Sequence, residues 1–402
     1  MKRREFLTAG TLAAAGGALL TSRLSFANTA AINGKSRFVF IILRGALDGL
    51  AAVPPHGDRD YGTLRRDLAM PANALLPLNG LFGLHPSLTF LGDSYTAKEL
   101  IVFHAVASPY RERSHFDGQD VLENGYLRAH AAQSGWLNRA LATIPAGRGS
   151  SSRELGVALG QNIPLVMRGP AEVTSWSPSK LAALDDDTLQ RITDLYASDP
   201  ILAGRLADGL AADAIADDQP MMGKPDAGRG AARYTEVIHA AAEFLRREDG
   251  PKVAVFDTTG WDTHANEGAA QGQLAGRLAA LDAGLRMLKE QLGPVWNDTA
   301  VLLATEFGRT AAINGTRGTD HGTAAAAFLV GGAVRGGRVI ADWPGLSNRA
   351  LYQGRDLMPT LDLRSVLKGV LEEHLQVPAR ALDNAVFPDS SATKALSGLL
   401  RS

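Results

Sequence analysis

The sequence predicts an α/β fold built on a mainly parallel sheet. Short continuous apolar runs rich in β-formers recur at residues 38–43, 100–106, 253–256, 300–305 and 326–330. Strands buried on both faces read as such runs rather than as an alternation. Stretches of helical period lie between several of them. The 43 glycines suggest many tight turns and argue against a plain helical bundle. With 402 residues, 45% of them hydrophobic, the chain can bury a substantial core in one large domain or two.

Bulk chemistry narrows the function. A formal charge of -1 leaves no basic footprint for nucleic acid. The chain has no cysteine, which excludes disulfides, thiolate metal sites and a cysteine nucleophile, so a metal would need oxygen and nitrogen ligands. No segment has the length and composition of a transmembrane span.

The chain opens with MKRREF, followed by a moderately apolar, Ala- and Gly-rich run over 7–20 and by Ser25-Phe26-Ala27. Basic, apolar and small-residue regions in that order form a secretory signal. The Arg3-Arg4-x-Phe6-Leu7 core resembles a twin-arginine export signal. The expectation is therefore that residues 1–30 are removed, that the twin-arginine machinery is a partner, and that the mature protein of 31–402 works in the periplasm without a stable membrane span. Twin-arginine export carries folded proteins, so a metal can be loaded beforehand.

The run over 38–43 predicts a first strand, leading into Arg44 and then Asp48, just past its carboxyl end. Taken alone, Asp48 reads as a turn residue or helix N-cap more readily than as a ligand. Residues 54–86 read as surface loop. The second strand, over 100–106, contains His104, expected to be a satisfied core histidine. Beyond it, Ser114 with Asp117 three residues on opens a helix to about 126. A hydroxyl there can be an ordinary cap, or a nucleophile toward an anion held by the helix N–H groups and dipole. A short strand is expected at 155–159. Residues 180–250 read as a helical insertion, two amphipathic helices around an acidic linker at 211–219, with His239 on a packing face.

The run over 253–256 ends at Asp257 and is followed by Asp262 and His264. Asp257 ends the strand directly and is expected to support the site rather than to bind metal. Leu274, Leu278, Leu281, Leu285, Leu288 and Leu292 alternate spacings of four and three, which is one apolar stripe of a core helix. The strand over 300–305 delivers Glu306 and Arg309. Asp320 and His321 precede the last long strand, and an amphipathic helix closes the chain with His374 at its end, where its charge would suit the dipole.

Each polar group has a bland reading by itself, but together they form a pattern. Asp48, Ser114, Asp262 with His264, and Glu306 all follow buried strands, and Asp320 with His321 joins them. In open α/β sheets ligands bind beyond the carboxyl ends of the strands. Carboxylates and imidazoles there hold divalent cations, which neutralise an anion and activate a nucleophile. Arg44 or Arg309 could clamp the remaining anionic oxygens, although an arginine beside an acid is more often a structural ion pair.

At these residues the chain resembles the bacterial domain of unknown function 1501 family, whose members often carry twin-arginine signals. The matching segments are LRGALDGL (43–50), LHPSL (84–88), RSHFDGQD (113–120), GWDTHAN (260–266), TEFGRT (305–310), DHGTA (320–324) and DLRSVL (362–367). The resemblance implies placement in the alkaline phosphatase and sulfatase-like superfamily, with a three-layer α/β/α fold and a metal site at the strand ends. It implies Ser114 as nucleophile, with Asp48, Asp262, His264, Glu306 and His321 as ligands; Asp320, next to His321, is a further candidate metal ligand from its position in the sequence. Glu306-Phe307 stands where the superfamily usually has an Asp-His pair, and Asp262 and His264 are spaced D-x-H rather than D-x-x-x-H. The expected function is an exported hydrolase of phosphate or sulfate esters that uses Zn, Mn, Mg or Ca and acts on a small anionic substrate. The alternative is a non-catalytic exported protein that binds a metal or ligand on the same fold.

Overall fold

A computed structural model describes residues 34–144, 155–178, 191–193, 195–196, 199–216 and 229–401. The export segment expected at residues 1–30 lies outside them. Nine strands form the main sheet: β1 Arg37–Arg44, β2 Leu100–Ala107, β3 Gly156–Leu159, β4 Thr174–Trp176, β5 Val253–Thr259, β6 Thr299–Ala304, β7 Ala325–Val330, β8 Arg338–Ile340 and β9 Leu361–Asp362. Their order is β8-β2-β7-β6-β1-β5-β3-β4, and β9 also pairs with β2. The one antiparallel member is β7, which opposes both β2 and β6. The other pairings of this sheet are parallel.

The principal helices are α1 Gly49–Ala52, α2 Tyr61–Arg65, α3 Thr89–Thr96, α4 His115–Asn124, α5 Trp136–Thr143, α6 Pro200–Ala216, α7 Arg229–Arg246, α8 Gln273–Leu292 and α9 Leu363–Leu375. They cover both faces of the sheet, and β1 shows why. Successive side chains of a strand point to opposite faces. Val39, Ile41 and Leu43 pack with Leu91 of α3, Ile238 and Phe244 of α7, and Leu278 and Leu285 of α8. Phe38, Phe40 and Ile42 pack with Trp136 of α5 and Val366 and Val370 of α9. All six β1 side chains have no exposure. Burial on both faces is what the unbroken apolar run encodes, and the result is a three-layer α/β/α fold. Of the helical segment expected at 180–250, α7 lies in one of these layers, while α6 packs against α7 and β4.

The sheet sets the position of the site. β1 and β5 run parallel with Arg44 opposite Thr259, and Ile42 lies opposite Ala304 of β6. Their carboxyl ends therefore stand side by side. Val106 of β2 pairs with Ala325 at the start of β7. Because β7 is antiparallel, its beginning lies at this same edge, and the residues just before it reach the crevice.

Two histidines are core groups. His104 has its Nε2 3.0 Å from the Val53 carbonyl, and its Nδ1 accepts the Ala105 N–H at 2.8 Å. Burial pushes its pKa down to about 4. His374 differs from the charged helix terminus expected of it. It is buried, its Nε2 lies 2.8 Å from the Arg37 carbonyl, and burial lowers its pKa. It is held as a neutral donor to the start of β1, not as a cation for the dipole.

Candidate metal centre

Three side chains converge at the strand ends. His115, Asp262 and His321 place ligand atoms within 4.8 Å of one another. His264 joins them, with Nε2 3.0 Å from both Asp262 Oδ1 and His321 Nε2. His115 opens α4, Asp262 and His264 lie in the loop after β5, and His321 precedes β7. The two central imidazoles also pack edge to face, with ring centroids 4.3 Å apart.

Hydrogen bonds fix the tautomers of two rings. His321 Nδ1 lies 2.9 Å from the Arg113 carbonyl, which can only accept, so Nδ1 carries the proton and the Nε2 lone pair faces Asp262. Arg113 itself has φ +65, a turn that breaks the chain between β2 and α4. His115 Nδ1 lies 2.8 Å from Glu306 Oε1 and donates to it. That leaves His115 Nε2 directed at Asp262 Oδ2, 3.4 Å away. This buried atom has no hydrogen-bond partner. The Glu306 hydrogen bond raises the His115 pKa against the opposing effect of burial, while burial lowers that of His321. Burial also works against the charge on Asp262, but the Arg309 hydrogen bond and charge hold its pKa below the ordinary carboxylate range.

The donor set fits a divalent ion. Two imidazole nitrogens, which bind metal in their neutral form, and a carboxylate, with a third imidazole beside them, match the nitrogen and oxygen ligation of zinc and related metals. Each fixed ring donates its far N–H to an oxygen, the arrangement that orients metal-bound histidines. The orphaned His115 Nε2 is the atom that such an ion would satisfy.

The sequence-predicted residues divide into two groups. Asp262, His264 and His321 come together. Asp320 borders them: its Oδ1 is 3.5 Å from His264 Nδ1, and it accepts from Asn314 at 3.0 Å. Glu306 is fully buried and stands behind His115. Its Oε1 accepts from Gly45 N, His115 Nδ1 and Gln119 Nε2, and its Oε2 lies 2.8 Å from Thr305 Oγ1, whose one proton also faces the Leu43 carbonyl at 2.7 Å. With Oε1 taken by three donors and the side chain buried, Glu306 holds the His115 ring from behind.

Asp48 is also held away from the cluster. It caps α1 through Leu50 N and Ala51 N and pairs with fully buried Arg65. Burial opposes its charge, but Arg65, a hydrogen bond with Glu267 and the charge of Arg309 together outweigh it and hold its pKa below the ordinary carboxylate range. Neither expected clamp has a free guanidinium. Arg44 pairs with Asp257 and Glu123 and binds Gln119. Arg309 is buried on Asp262 and Thr319. Asp257 therefore supports Arg44.

Ser114 is the N-cap residue of α4, yet its side chain makes no capping hydrogen bond. His115 is the residue that sequence reasoning passed over. It stands directly after Ser114, whose hydroxyl is the more conspicuous group at this helix start. An imidazole one residue inside a helix that opens at the carboxyl edge was the available signal.

No curated protein matches the chain. Among solved structures, the fold is similar to a phosphonate monoester hydrolase of Agrobacterium radiobacter, at 9% identity and TM-score 0.33, covering 76% of this chain and 70% of that one. It is similar to lipoteichoic acid synthase LtaP from Listeria monocytogenes at 9% identity and TM-score 0.34, covering 74% of this chain and 65% of that one, just under two thirds of its length. It is also similar to Ps i-CgsB in complex with k-i-k-neocarrahexaose, at 11% identity and TM-score 0.39, covering 90% and 77%. The family model described as Protein of unknown function (DUF1501) matches residues 94–386. That span runs from α3 through α9 and carries every residue of the cluster, and the chain belongs to the DUF1501 family.

Proposed function

We propose that this chain is an exported, metal-dependent hydrolase of phosphate or sulfate esters. His115, Asp262 and His321, with His264 beside them, would hold one divalent ion, and Ser114 would be the nucleophile. The observation that carries the reading is the convergence of two histidines of fixed tautomer and one carboxylate, with a buried nitrogen left without a partner. A bound ion would neutralise the anionic oxygens of an ester and ease deprotonation of a nearby hydroxyl. The rest falls to the chain's own groups. Ser114 precedes His115 directly, and its hydroxyl is not committed to capping α4. The first N–H groups and the dipole of α4 favour an anion at that end. Arg309 keeps the Asp262 carboxylate charged and directed at the histidines. Export to the periplasm through the twin-arginine machinery rests on the N-terminal sequence. Among the described residues no helix is long and apolar enough to cross a membrane.

The purified mature protein tests this reading. Its bound metals are measured, and nitrophenyl phosphate, a phosphodiester and a sulfate ester are assayed after loading with Zn, Mn, Mg or Ca. The expected result is metal-dependent turnover that Ser114→Ala abolishes and His264→Ala reduces. Absence of turnover with every metal and ester would overturn the hydrolase. Turnover that survives Ser114→Ala would overturn the nucleophile.

A further inference from the structure

Beneath the cluster lies a buried carboxyl group that the proposed chemistry does not use. Glu267 has no exposure. Its Oε2 accepts from Thr319 Oγ1 at 2.9 Å. Its Oε1 has no hydrogen-bond partner and lies 3.7 Å from Arg65 Nη2. Thr319 Oγ1 in turn accepts from Arg309 Nε at 3.1 Å, and the Thr319 carbonyl accepts from Arg309 Nη2. Arg309 Nη1 reaches Asp262 Oδ1.

A hydroxyl has one proton. Thr319 Oγ1 receives the Arg309 N–H, so its own proton must go to Glu267. The acceptor at Glu267 therefore sets the direction of the hydroxyl, the hydroxyl seats the guanidinium, and the guanidinium seats the carboxylate. Charge balance agrees. Asp48 is matched by Arg65 and Asp262 by Arg309, so an ionised Glu267 would be a surplus buried charge. Burial, then the charge of Asp48, push the Glu267 pKa well above the ordinary carboxylate range. A neutral acid, with its proton on Oε1 directed toward Asp48, accepts from Thr319 on Oε2 without adding a charge that would draw Arg309 away from Asp262.

We propose that Glu267 is a positioning residue of the metal centre: through Thr319 and Arg309 it fixes how Asp262 presents its carboxylate. The proposal rests on the metal-binding half of the proposed function and not on the hydrolase half.

The test is Co²⁺ binding to the metal-free mature chain, read from the visible absorption of the bound ion, with metal-free thermal stability measured alongside. Glu267→Ala is expected to weaken Co²⁺ by about 10- to 100-fold, the range for partners that orient ligands, and to change the absorption bands. Glu267→Gln keeps a neutral acceptor for Thr319 and is expected to restore the affinity and bands. Thr319→Val keeps Glu267 and breaks the link, which gives a second route should Glu267→Ala fail to fold. It is expected to weaken Co²⁺ as Glu267→Ala does, with the double variant no worse than either single one. Reduced stability with unchanged Co²⁺ affinity and bands in Glu267→Ala or Thr319→Val would overturn the proposal, as would a loss in Glu267→Gln equal to that in Glu267→Ala. A wild-type chain that binds no Co²⁺ would overturn the metal reading and this proposal with it. Co²⁺ binding without ester turnover would leave this proposal standing and overturn only the hydrolase.

Discussion

At Glu306 one carboxylate oxygen is committed to three donors of the protein itself, the ring of His115 among them. Asp262, three positions past the end of its strand, has one oxygen among imidazoles and the other facing His115. Both acids follow buried strands, and the sequence does not distinguish them, because the direction of a side chain past a strand end depends on the turn that follows. Asp48 illustrates the same limit. Its N-cap role was legible in the local sequence, whereas its partner Arg65 lies on a helix read as loop. His104 carries the clearest consequence of burial for pH. Its pKa in the folded chain, about 4, lies below the ordinary value of 6.5. The unfolded chain therefore binds the proton first, and stability falls as pH drops from about 6.5 to about 4, with no further loss from this group below that. Between about pH 7 and about pH 5 the loss is about 2 kcal/mol. Urea unfolding of wild type and His104→Gln at both pH values measures it. The variant should lose about that much less, and an equal loss in both chains would show that His104 does not carry the effect.

At the scale of elements, the long buried strands and the leucine-striped α8 were legible because burial on two faces or on one stripe writes itself into composition. The short strands β4, β8 and β9 have too few residues to show a pattern. What the elements do for the site is to bring separate turns into contact. Gly45 sits in the turn between β1 and α1 with φ +120, and a Cβ there would meet Asp262 N at 2.8 Å and Trp261 N at 3.0 Å. Its own N–H donates to Glu306 Oε1 at 2.9 Å. One glycine thus links the supports of two ligands, and any side chain at this position must displace the β5 loop. Gly45→Ala should cost about 1–3 kcal/mol in stability from strain, and it should weaken metal binding by at least about tenfold because both Asp262 and the His115 support move. Calorimetric metal titration compared with unfolding free energy separates the two effects. A variant with wild-type affinity would show that the turn and the cluster are independent.

Across the whole molecule, the strand order makes the centre a junction. His115 comes after β2, Asp262 after β5, and His321 before β7. The intervening sheet neighbours β6 and β1 contribute the Glu306 and Gly45 supports. The antiparallel course of β7 is what allows a residue ahead of a strand to join residues that follow strands, and the apolar run of β7 gave no sign of its direction. An ion held here would bridge three connections that are far apart in the chain and that all separate when the sheet unfolds. A ligand bound only by the folded state stabilises it by about 2.7 kcal/mol at a free concentration of about 100 Kd. Addition of Zn²⁺ or Mn²⁺ to the metal-free protein should therefore raise its Tm by a few degrees. The rise should depend on metal concentration and should be lost in His321→Ala and in His115→Ala. Glu372→Ala, a change well away from the cluster on α9, should leave it intact. Chelation should return the wild type to its metal-free Tm. An equal rise in the wild type and in the His321→Ala variant would mean that the ion binds elsewhere, and His115, Asp262 and His321 would then be a hydrogen-bonded cluster and not a metal centre.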